Sequence, residues 1–146
     1  MDSIGLFILL AGFVIGLGAV TVIDIHGFLG RKSNYWTEAT TRTHKVTKPL
    51  IWVGVCLIIV GGFIYFRNEP FAGIPLYLSI IELVLLVNGL FLSFVVSPFL
   101  LRKEKEGRSA ELLPLSLQHK IMVSLIVSDI GWWGGLFLVV KYISAH

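Results

Sequence analysis

IGLFILLAGFVIGLGAVTVI, residues 4–23, is a run of twenty residues with no charge and with Thr21 as its one polar side chain. At ~1.5 Å per residue such a helix covers the ~30 Å of a bilayer's hydrocarbon core. This reading decides the fold class, because a segment this apolar and this long has no place in a small soluble domain. The residues ahead of it, Met1-Asp2-Ser3, are acidic where a cleaved signal peptide would be basic, so the segment is expected to be retained. Gly5, Gly12, Gly16 and Ala19 recur at spacings of seven, four and three. They form a small-residue stripe along which another helix can approach closely, and His26, seven further on, continues it.

The rest of the chain extends the pattern. Of its 146 residues 55% are hydrophobic and 14% charged, more apolar side chain than a soluble domain of this size could bury, so lipid must cover the excess. The net charge of +3 does not indicate nucleic acid, since the cations sit in short segments beside apolar runs. Cys56 is alone within such a run, which excludes an intramolecular disulfide and a cysteine-based zinc site.

Four spans are expected, at about 4–29, 49–66, 74–99 and 119–143, giving an all-α integral membrane protein with a single four-transmembrane-helix bundle. Between the first two lies DIHGFLGRKSNYWTEATTRTHKVTKP, residues 24–49, with five of the twelve Lys and Arg residues and two of the four histidines. Tyr35 and Trp36 suit a membrane interface. Asn34 or Thr37 is a candidate cap for a short interfacial helix over 37–47, bent at Pro49 into the second span. Gly54 and Gly61 give that span its own close-approach face. Residues 102–108 read as a solvated, mixed-charge loop with no specific role.

Counting Lys and Arg orients the bundle. The first and third connections carry five each, whereas the second has Arg67 and the tail Lys141. In a bacterial inner membrane both termini would then be extracytoplasmic.

Three segments carry a resemblance: GLGAVTVIDIHGFLGRKS (16–33), KPLIWVGVCLIIVGGFIYF (48–66) and LLVNGLFLSFVVSPFLL (85–101). Together they resemble small bacterial four-helix membrane proteins, many uncharacterised and some placed near the copper-resistance protein D group. The resemblance covers roughly the first two-thirds of the chain. It implies the four-helix architecture and a metal or haem setting, and carries over no ligand residue by residue.

The residues themselves offer three constellations. His26, His44 and His119 all fall near the inner surface when depth is counted along the spans. Histidine ligates metals and haem iron, so these three are the candidate ligands for a divalent metal or haem b. Head-group contacts are the plainer use of interfacial histidines. Asp24, two residues before His26, points about 200° away from it on a helix, and is expected to pair with Arg31, Lys32 or a basic residue of the next segment, with proton or cation handling as its other use. Glu82, Asn88 and Asp129 are intramembrane polar groups that need partners. Matched depth predicts an Asn88–Asp129 contact, and Lys141 is the expected partner of Glu82. On the fourth span Ser124, Ser128, Gly131 and Gly135 make a second small-residue stripe. Trp132 and Trp133 sit too deep for an interfacial belt and are expected to fill gaps left by glycines.

No GxSxG, phosphate-binding glycine loop or HExxH is present, which weighs against an enzyme. The sequence does not name a reaction. It ranks three readings: a membrane binding or accessory protein handling a metal or ion through the inner histidines, a haem-b electron carrier, and a small proton or cation channel. The partners expected are the lipid bilayer and a homo-oligomer or larger membrane complex.

Overall fold

A computed structural model describes residues 2–145. The chain is all α. Helix α1 spans Ser3–Gly30, α2 Asn34–Tyr65 and α3 Ile74–Phe91; a π-helical turn, Leu92–Val96, leads into α4, Ser97–Lys105, and α5 spans Leu115–Ala145. Helix α3, the π turn and α4 make one rod, Ile74–Lys105, so four helices are long and apolar enough to cross a membrane. The second of them differs from expectation. No separate interfacial helix precedes it, because α2 is a single helix of 32 residues with Pro49 inside.

The reason lies in the threonines. Thr37, Thr41 and Thr47 are buried, and Thr37 Oγ1 donates to Gly30 O at 2.8 Å, tying the start of α2 to the end of α1. Thr40, Thr41 and Thr47 donate to the carbonyls four residues back. The polar segment thus satisfies its hydroxyls within the helix and packs its small side chains on α1. Its N-cap is Ser33, in extended backbone, rather than Asn34 or Thr37.

The α1–α2 hairpin is the tightest part of the molecule, and glycines make it so. A Cβ on Gly5 would meet the backbone of Tyr65 at 2.7 Å, one on Gly12 the backbone N of Ile58 at 2.7 Å, and one on Gly54 the Cα of Gly16 at 2.7 Å. A Cβ on Gly61 would run into the backbone of Leu9. The two stripes read from the sequence therefore face each other, main chain against main chain.

Helix α5 closes the bundle against α1 and α3. Ser124, Ser128, Gly131 and Gly135 are all buried; added Cβ atoms would meet Leu85 at Gly131 and the Phe13 ring at Gly135. Trp132 is 1% exposed and lies where a side chain on Gly16 would be, edge-on to Phe13. Trp133 points outward and is 57% exposed, so only the first of the two fills a glycine gap.

Local signals set the ends. The Asp2 carboxylate accepts from the amides of Ile4 and Gly5 and opens α1. Gly73, at φ +60, makes the turn into α3 that a residue with a side chain would resist. The stretch expected as a solvated loop, 102–108, begins as the last turn of α4. Lys103 is 7% exposed, and its Nζ donates to the carbonyls of Glu111 and Leu112 at 3.1 and 3.2 Å. Arg108 bridges Glu106 and Glu111, and its hydrogen bond holds the Glu111 carboxyl below the usual range. Arg102–Arg108 thus fastens the return segment, a role its charge pattern does not announce.

Candidate functional site

The π turn positions a cavity. In a π turn the extra residue leaves side chains off the regular helical spacing, and such turns recur at functional sites. Here the turn brings Ser93 and Ser97 to α2. Trp52 Nε1 donates to Ser93 Oγ at 3.1 Å, and Lys48 Nζ donates to Ser97 Oγ at 3.2 Å. Lys48 and Trp52 are four apart, as are the two serines, so both bonds lie on one pair of facing ridges. Lower down, Lys45 Nζ pairs with Glu104 Oε1 at 2.8 Å. Three contacts in a row hold α2 against the rod.

Behind this seam lies a cavity of about 90 Å³. It runs from Gly30, Arg31 and Gln118 at the helix ends inward to Asp24 and Trp52, with apolar walls that include Ile23, Ile51, Leu92 and Leu125. A smaller void of about 30 Å³ continues past Asp24 to Asn88, Ser128 and Trp132. There it stops, at a layer in which Leu9, Phe13 and Val139 are fully buried.

Asp24 and His44 share the cavity wall. Their placement follows from the glycine register: Gly5 against Tyr65, Leu9 against Gly61 and Gly16 against Gly54 carry on to put Asp24 opposite Val46, within one turn of His44. Asp24 Oδ2 and His44 Nε2 are both buried, and neither has a hydrogen-bond partner. A buried polar atom without a partner costs roughly 1–3 kcal/mol, so such atoms are rare and each one calls for an explanation. Both residues line the same cavity.

Other expected pairings give way to different ones. Asp24 makes no ion pair with Arg31 or Lys32 among the described residues, and Asp129 on α5 is exposed and lines neither cavity. Asn88 does not use Asp129 either. It donates from Nδ2 to Ser124 O at 3.1 Å and accepts from Ser124 Oγ at 2.7 Å. Matched depth was a sound guide to two helices meeting, but azimuth decides which side chains meet, and Ser124 lies on the buried stripe while Asp129 is turned about 100° from Ser128. No ion pair joins Glu82 to Lys141 among the described residues. Glu82 turns toward α2, its Oε1 3.5 Å from where a side chain on Gly62 would start, and it lines neither cavity.

The three histidines do not gather. His26 lies edge-on to Trp36, ring centroids 5.4 Å apart, and its Nδ1 donates to Val22 O at 2.7 Å. His119 is exposed at the start of α5. Only His44 reaches the cavity. Among the described residues no three of His, Cys, Asp and Glu come together as a metal-binding group. The residues that sequence reasoning missed are Lys48, Trp52 and Ser93 on the cavity wall and Ser97, which holds Lys48. Their four-residue spacings are visible in the sequence, but nothing there shows that the two pairs face each other.

No protein-family model matches this chain, and neither does any curated protein or any solved structure.

Proposed function

We propose that this chain is a membrane-embedded binding protein whose cavity takes a small polar or ionic ligand between Asp24 and His44. The observation that carries this reading is the pair of buried, partnerless atoms, Asp24 Oδ2 and His44 Nε2, on one cavity wall. A chain that needed these residues for packing alone would have satisfied or replaced them. The outward faces of the four helices, with Phe7, Phe63, Ile130 and Phe137 all exposed, suit lipid contact. In a bacterial inner membrane, the cation count supports both termini outside and the mouth of the cavity on the cytoplasmic side.

Haem b fits poorly. A cavity of about 90 Å³ is far below the ~300–1,000 Å³ of pockets for cofactor-sized ligands, and His44 has no second histidine across from it. A divalent metal would find two protein donors there, Asp24 and His44, where structural and catalytic sites use three or four. The dead end at Trp132 favours binding over conduction.

Asp24→Leu tests the reading. Removing a carboxyl whose buried Oδ2 has no partner should raise stability by roughly 1–3 kcal/mol, measured as thermal unfolding of protein in lipid nanodiscs. A destabilised variant would show Asp24 to be a structural member and end the binding reading. Orientation is tested separately. A reporter fused after His146 should be active only outside the cytoplasm, and cytoplasmic activity would reverse the assigned sides.

A further inference from the structure

Resting on that cavity reading, we propose that the ligand is a primary ammonium group, carried by a small amine or by a lipid headgroup and held between Asp24 Oδ2 and His44 Nε2. The cavity wall shows what is left for a ligand to bind. Thr37, Thr40 and Gln118 line it, and they donate to the main-chain carbonyls of Gly30, Trp36 and Leu113. Trp52 and Ser93 bond each other. Arg31 Nε donates to Phe28 O, with its guanidinium 4.3 Å from the centre of the Phe28 ring. Lys48 Nζ donates to Ser97, which is not part of the wall. Among the described residues lining the cavity, the buried side-chain atoms with no bond are Asp24 Oδ2 and His44 Nε2.

Both can accept. A carboxylate oxygen accepts only, and the Nε2 of a neutral imidazole accepts when the ring proton is on Nδ1. Their complement is a group with several donors, no acceptor and a positive charge, which describes an ammonium. Neither Arg31 nor Lys48 forms an ion pair with Asp24, so its charge is open to a cation from outside. Trp52, fixed by Ser93, adds an aromatic ring to the same wall, a surface that attracts cations.

Other ionic classes suit this wall less well. An anion would sit against the Asp24 carboxylate. A Mg²⁺ or Ca²⁺ ion calls for roughly six or more oxygen ligands, whereas Asp24 offers one carboxyl and His44 a nitrogen. Size sets the rest. About 90 Å³ is less than the ~150 Å³ that holds benzene, so the part that enters is an ammonium with a short alkyl stub. Ile23, Ile51, Leu92 and Leu125 give that stub apolar neighbours. The mouth, at Gly30, Arg31 and Gln118, lies at the helix ends, where amines in solution and amines on headgroups are both met.

Calorimetric titration of the full chain with methylammonium chloride tests this, in phosphatidylcholine nanodiscs, whose lipid has no N–H group. Methylammonium should bind saturably and about 10-fold tighter than potassium at equal ionic strength, and sodium acetate should not saturate. Asp24→Asn should weaken methylammonium binding about 100-fold and His44→Phe about 10-fold, since each removes a bond to a charged group. Replacing part of the lipid by phosphatidylethanolamine separates the two sources: a headgroup occupant lowers the apparent methylammonium affinity by competition, whereas a solution amine leaves it unchanged. Potassium binding as tightly, acetate binding in place of methylammonium, or methylammonium binding indifferent to Asp24→Asn overturns the proposal. No saturable methylammonium binding by a chain that Asp24→Leu stabilises overturns it too and leaves the cavity reading intact, whereas loss of that stabilisation removes the cavity reading itself.

Discussion

Gly61→Ala is expected to disrupt the α1–α2 hairpin and cost roughly 3 kcal/mol, the upper end of what overpacking usually exacts. The added methyl would enter the backbone of Leu9, at its N and Cα, and a main chain inside a helix cannot move aside as a flexible side chain can. Relief would require the helices to separate along their whole contact, since Gly5, Gly12 and Gly54 bring the same two backbones together at other levels. In a bilayer, association of these helices would rest on such contact, because lipid tails are as apolar as the side chains they replace. Gly18→Ala is the control. Nothing lies within 4 Å of its Cβ position, so alanine there should be neutral or stabilising by up to about 1 kcal/mol through helix propensity. Thermal unfolding of both variants in the same detergent measures the difference. Equal behaviour would show that the hairpin is looser than its glycine contacts indicate.

Trp132→Ala should be comparably damaging, at about 3–5 kcal/mol, and Trp133→Ala nearly silent, within about 0.5 kcal/mol. The two residues are adjacent and chemically identical, so the contrast isolates position. Trp132 is 1% exposed and fills the space above Gly16 beside Phe13, whereas Trp133 is 57% exposed. Truncating Trp132 leaves a hole that the surrounding helices close only partly, and the lost contacts are not returned by lipid. A sharper signature lies in the pair Gly16 and Trp132. Gly16→Ala alone should destabilise, because its methyl enters the Trp132 ring; in the Trp132→Ala background that clash is gone, and the same substitution should be neutral or favourable. Thermal melts of the two single variants and the double variant read this directly, and simple additivity would contradict the packing described.

Residues 4–23 and their three counterparts determined by themselves that the chain forms four long apolar helices, because length and hydropathy along one segment need no knowledge of any other. The small-residue stripes were legible for the same reason: Gly12 and Gly16, Gly54 and Gly61, Gly131 and Gly135 announce close approach through spacing on their own helix. What a stripe meets is a different matter. The sequence has no term for the rotation of one helix against another, and that rotation decided that Asn88 finds Ser124, that Asp129 stays exposed, and that Trp132 turns inward while Trp133 turns out. It also scattered the histidines. His26, His44 and His119 share a depth, but depth is one coordinate of three, and Trp36 and Val22 hold His26 apart from the wall on which His44 sits. Pro49 was read as a bend because its missing amide is equally compatible with a helix start and a helix interior; burial of Thr37, Thr41 and Thr47 on α1 chose the interior. The cavity belongs wholly to tertiary structure. Ser93 and Ser97 meet Lys48 and Trp52 only once α2 and the rod are side by side, and a volume enclosed by four helices is not a property of any one of them.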